Sequence, residues 1–90
     1  MYRLEVSPAA ERDFLKLAKR IQRSDFERLK SAISNLAIEP RPSGVRKIKG
    51  TEKSFRTRVG SFRVVYEVYD SEKLILILQV SRRSESTYRS

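Results

Sequence analysis

The hydrophobic period of this chain changes at Gly44, and nothing else in the sequence constrains its fold as tightly. Before Gly44, apolar residues recur every three or four positions. Ala10, Phe14, Leu17 and Ile21 make one stripe, and Phe26, Leu29, Ile33 and Leu36 make a second, each spaced as one face of a helix. After Gly44 the period is two. Phe55, Thr57 and Val59 alternate with Arg56 and Arg58, and Phe62, Val64, Tyr66 and Val68 alternate with Arg63, Val65, Glu67 and Tyr69. Such alternation suits strands with one buried face.

Local signals punctuate these segments. Tyr2, Leu4 and Val6 alternate with Arg3 and Glu5, which predicts a short opening strand. Ser7 is placed as an N-cap, Pro8 at the first helical position and Glu11 near the positive helix end. Ser24-Asp25-Phe26-Glu27 reads as a capping box opening a second helix. The Glu39–Gly44 segment ends that helix, because proline cannot continue one and restricts the residue before it. Val45 and Ile48 flank a short basic strand containing Arg46 and Lys47, and Asp70-Ser71-Glu72 makes a turn. Lys73 to Ser81 is apolar on both parities, as in a strand covered on both faces.

The fold class that follows is α+β, a two-layer sandwich in a single domain over residues 1–90. It has an N-terminal strand, an antiparallel helical hairpin, then three or four antiparallel strands forming a twisted sheet with a basic concave face. The apolar stripes need no explanation beyond core packing.

Composition then narrows the chemistry. The chain has no cysteine and no histidine, so it lacks disulfides, thiolate metal ligands and the usual general base near neutral pH. No cofactor or metal is expected. The charged N-terminus does not read as an export signal, and the longest apolar run, Leu74 to Leu78, is too short to span a membrane. A cytoplasmic protein with no membrane partner is expected. Formal net charge is +9, from 20 basic and 11 acidic side chains. The excess is uneven: residues 1–44 carry nine basic against six acidic groups, and residues 45–90 carry eleven against five. Such a domain attracts nucleic acid or an acidic protein.

The basic half has a pattern. With a two-residue turn at Gly60-Ser61, facing residues have numbers that sum to 121, so Arg58 meets Arg63. Arg56 lies two residues away on the same face. Like charges directly opposite destabilise a sheet, so a fold that keeps them holds an anion there. The next hairpin brings Val80 to Arg83 beside Gly60 to Arg63, which predicts that Arg82 or Arg83 joins the cluster and that Tyr88 lies over it. Guanidiniums bind phosphate bidentately and stack on bases, and tyrosine offers a stacking face, so single-stranded RNA fits. The same groups can stabilise a pentacoordinate phosphorane without a metal.

With these residues in view the chain resembles the RelE/ParE superfamily of toxins from toxin–antitoxin systems. The resemblance rests on the opening strand and basic helical hairpin, on Lys47-Ile48-Lys49-Gly50, and on the run from Phe55 to Tyr66. It is completed by Val80-Ser81-Arg82-Arg83 with Glu85 and Tyr88. The resemblance implies a metal-independent endoribonuclease that cleaves mRNA in the ribosomal A site by 2′-hydroxyl attack. It implies catalytic roles for Arg56, Arg58, Arg63, Arg83 and Tyr88, with Arg83 as general acid and Tyr88 orienting the base. Lys47, Lys49 and Arg82 are expected to bind RNA. The implied partners are a RelB-like antitoxin and mRNA on the ribosome, with contacts to 16S rRNA.

Strongly cleaving members often carry lysine where this chain has Arg56 and Arg58. Lysine can lose its proton when desolvated, whereas arginine stays charged. Glu52 and Glu85 are the nearby carboxylates that could substitute as a base. The ParE branch shares the fold but poisons DNA gyrase, so gyrase inhibition is one alternative, and a basic module that only pairs with an antitoxin is another.

Overall fold

The computed structural model describes residues 1–82. Its elements are β1 (Arg3–Val6), α1 (Pro8–Ala18), α2 (Arg23–Leu36), β2 (Arg46–Lys47), β3 (Ser54–Val59), β4 (Phe62–Tyr69) and β5 (Leu74–Arg82). The strands form one sheet in the order β1-β5-β4-β3-β2. Each neighbouring pair from β2 to β5 is antiparallel, and β1 joins the far side of β5 in parallel. The expected α+β sandwich is present, with one helical layer on one sheet face. Its core joins Ala10, Leu29, Ile33 and Leu36 of the helices to Phe55, Val59, Phe62, Val64, Tyr66, Val68, Ile75, Ile77 and Val80 of the strands.

The helices start for different reasons. Ser7 caps α1, its hydroxyl accepting a hydrogen bond from the Ala10 amide at 3.1 Å. The capping box expected at Ser24 does not form. α2 begins two residues earlier, its N-cap is Gln22, and no side chain caps it. Ile21 and Phe26 are both half-buried and occupy the positions on either side of that cap that make a hydrophobic staple. Phe26 also meets Phe14 of α1 edge to face, with centroids 5.9 Å apart and planes at 89°. Apolar packing thus sets the entry of α2, and Ser24 is left inside its first turn.

A bulge in β5 decides which residues face the helices. Val65 registers with Gln79 but Tyr66 with Ile77, so Leu78 is the extra residue. Inward parity passes from Ile75 and Ile77 to Val80, all three buried. Without the bulge, Gln79 and Ser81 would turn into the core.

The loop after α2 is tied down from below. Tyr66 is fully buried and its hydroxyl donates to the Pro40 carbonyl at 2.7 Å. Arg41 pairs with Asp70 at 2.8 Å and lies over the Phe55 ring, and Tyr2 donates to the same Asp70 at 2.6 Å. Gly44 takes a positive φ of 86°, and the chain then enters β2.

Candidate nucleic-acid interface

The register places the arginines. Arg58 pairs directly with Arg63 and Val59 with Phe62, as the turn predicts. Only Gly60 in that turn has a positive φ, 59°, the pattern of a type II′ turn. Because Val59, Phe62 and Val64 face the core, Arg56, Arg58 and Arg63 face the other way.

A fourth arginine joins them. Arg46 registers with Arg56, so β2 adds its charge to the same face. Gly44, Arg46, Arg56, Thr57, Arg58 and Arg63 line one cleft of about 70 Å³. The sequence reading placed Arg46 in a basic strand but not in the site. Its only signal is the β2–β3 register, and the six-residue connection from Ile48 to Lys53 does not reveal that register. The local bonds that set it are Ile48 N–H to the Ser54 carbonyl, at 2.9 Å, and Thr51, whose hydroxyl donates to the Ile48 carbonyl and accepts from the Ser54 amide.

Other expected members stand apart. Arg82 registers with Phe62, an inward residue, and lies over its ring with the guanidinium carbon 5.5 Å from the centroid. Of the two arginines expected there, Arg82 or Arg83, Arg82 is not the one that joins the cluster: the bulge at Leu78 turns it to the helix side. There it borders a groove of about 580 Å³ between α1 and β5, with Lys16, Lys19 and Arg20. Lys47 registers with Phe55, on the opposite parity from Arg46 and Arg56, and pairs with Glu52 at 3.7 Å. Glu52 is thus engaged with Lys47, and neither lines the cleft. Lys49 is exposed in the turn after β2. Arg83, Glu85 and Tyr88 lie outside the described residues.

The cleft can bind and polarise an anion. Cross-strand neighbours sit about 5 Å apart, so two guanidiniums reach a single phosphate from adjoining strands. Among the described residues, Arg46, Arg56 and Arg58 form no ion pair. Also among the described residues, no helix is long and apolar enough to cross a membrane, and no three acidic side chains gather as a metal site would need.

The chain matches the family model described as ParE toxin of type II toxin-antitoxin system, parDE, over residues 4–87. It belongs to that family and, with it, to the RelE/ParE superfamily of toxins. It is 33% identical over 79 residues to the protein named toxin RelE1 of Methanocaldococcus jannaschii, covering 84% of this chain and 87% of that one. Its fold is similar to that of the archaeal RelE–RelB complex from Pyrococcus horikoshii OT3, with TM-score 0.75 and 27% identity over 94% of this chain and 98% of that one. The intact E. coli RelBE toxin–antitoxin complex shows the same fold, with TM-score 0.74 and 20% identity over 94% and 100%.

Proposed function

We propose that this toxin is a ribosome-dependent endoribonuclease that cuts mRNA in the A site and so halts translation. One observation carries the reading: Arg46, Arg56, Arg58 and Arg63 share one face and one cleft. In this reading Arg58 and Arg63 grip the scissile phosphate. The 2′-oxygen attacks phosphorus, and the bond from phosphorus to the 5′-oxygen breaks. A 2′,3′-cyclic phosphate and a 5′-hydroxyl result. The guanidiniums offset the charge that builds on the phosphorane oxygens, in a place they already occupy. Arginine supplies charge but does not accept a proton. The 2′-hydroxyl proton therefore passes to solvent or to a ribosomal group, and Arg83, in the general-acid position that the resemblance implies, hydrogen-bonds the leaving 5′-oxygen while that oxygen takes a proton that water supplies through it. Tyr88 orients the base.

The relatives support an antitoxin as the partner. The Pyrococcus horikoshii and E. coli toxins are seen with RelB antitoxins, and an antitoxin with an acidic segment fits the +9 charge here. Primer extension on a reporter mRNA after induction tests the nuclease. A-site cuts are expected, and Arg63→Ala and Arg83→Ala should each abolish both cuts and growth arrest in a folded protein. Uncut mRNA with full arrest overturns it.

A second reading has its own support, since the matching family model is that of ParE. In it the basic face binds DNA gyrase. Inhibited supercoiling, with cleaved DNA complexes and intact mRNA, would identify that activity.

A further inference from the structure

The four arginines are not scattered over their face. They form two cross-strand pairs in register, Arg46 with Arg56 and Arg58 with Arg63, and the pairs are consecutive along β3. We propose that they are two phosphate subsites for successive phosphates of one nucleic-acid strand: Arg58–Arg63 takes one, and Arg46–Arg56 takes its neighbour. The proposal rests on the RNA-binding reading above and adds the path of the strand and a role for Arg46.

Spacing supports it. Arg56 and Arg58 are two residues apart on an extended strand, about 6.6 Å. That is close to the separation of successive phosphates along an extended single strand. Arg46 lies on one side of β3 and Arg63 on the other, so the two pairs are offset diagonally. A bound strand would cross β2, β3 and β4 obliquely, from Arg46 toward Arg63.

Electrostatics supports it too. Arg46 and Arg56 set like charges directly opposite, an arrangement that costs stability until an anion sits between them. Neither Arg46 nor Arg56 has an ion-pair partner among the described residues. Both pairs line the same cleft. An acidic peptide could present carboxylates at a similar repeat, but peptide docking draws on apolar anchors, and the lining of this cleft contains none.

The test uses all-2′-deoxy oligonucleotides, which cannot be cleaved by 2′-attack. A dinucleoside monophosphate offers one phosphate and a trinucleoside diphosphate offers two. NMR titration at low salt should show the second phosphate improving affinity about tenfold, and steepening the log–log salt slope by about 0.7. Arg46→Gln should abolish that gain, so that the two oligonucleotides bind the variant equally, and Arg46→Lys should restore part of it. Arg20→Gln removes the same charge on the helix side and should keep the gain. The amide spectrum of each variant reports its folding.

The proposal fails if Arg46→Gln retains the gain. It also fails if Arg20→Gln loses the gain equally, because the effect is then one of net charge. If Arg46→Gln instead weakens only an Asp/Glu-rich peptide, the pair belongs to a protein partner and the proposal is again overturned. Primer extension on the same variants separates this from the reading beneath it. A wild type that cuts mRNA yet gains nothing from the second phosphate sinks the subsite alone, whereas one that neither cuts nor binds either oligonucleotide sinks both.

Discussion

Arg58 and Arg63 stand directly opposite one another, and like charges so placed repel across a sheet. Replacing Arg58 by Gln should therefore stabilise the free protein by about 0.5 kcal/mol in urea melts at low salt. The gain should vanish near 1 M salt, where the screening length is about 3 Å. In the proposed reading nucleic-acid binding weakens in the same variant, so stability and binding move in opposite directions. Tyr66 gives a second expectation. Burial pushes its phenol up from the ordinary value of 10.0 to about 12. The fold favours the protonated form, so this contribution is complete below pH 10 and is lost as pH rises toward 12. Denaturant melts across that range should show the decline, and Tyr66→Phe should flatten it while lowering stability near neutral pH through the lost Pro40 hydrogen bond. The Arg58–Arg63 pairing was readable in the sequence because a two-residue turn leaves almost no choice of register. Arg46 was not, because its partner is set by bonds at Thr51 and Ser54 across a longer connection.

At the scale of elements, the two helix starts make a contrast that mutation can read. Ser7→Ala removes the cap of α1 and the hydroxyl's bond to the Leu78 carbonyl, and should cost about 1 kcal/mol. Ser24→Ala should change stability by less than about 0.5 kcal/mol, because Ser24 caps nothing in α2. Equal effects in urea melts would mean that the capping box forms after all. Periodicity showed where both helices run and which stripe each buries. It did not show that apolar contacts at Ile21 and Phe26 would take over the start of α2. Nor did it show the bulge, since a strand apolar on both parities carries no sign of where one residue is inserted. The choice between Arg82 and Arg83 was open for that reason: a single extra residue reverses every side chain beyond it. The bulge also leaves the Val80 amide pointing away from β4, where the Asp13 carboxylate accepts from it at 2.9 Å. Asp13→Ala should cost about 1–3 kcal/mol by leaving that amide without its partner.

For the whole molecule, the layer order and the single core were legible because the period changes once and stays changed. The parallel docking of β1 was not, since a short alternating segment carries no direction. That docking has a consequence for how the toxin is made. Arg3 registers with Leu74, so the first strand waits 71 residues for its neighbour, while the β3–β4 hairpin closes over a two-residue turn. Loop closure over so long a span is slow to nucleate, and contacts of this kind set folding rates. A chain emerging from the ribosome can outline its arginine hairpin early, but β5, which lies between β1 and β4, arrives last of the described strands. Until it does, the helices have no finished sheet to rest on. In the proposed reading this protein attacks translating ribosomes, and its topology delays a complete fold until most of its own translation is over.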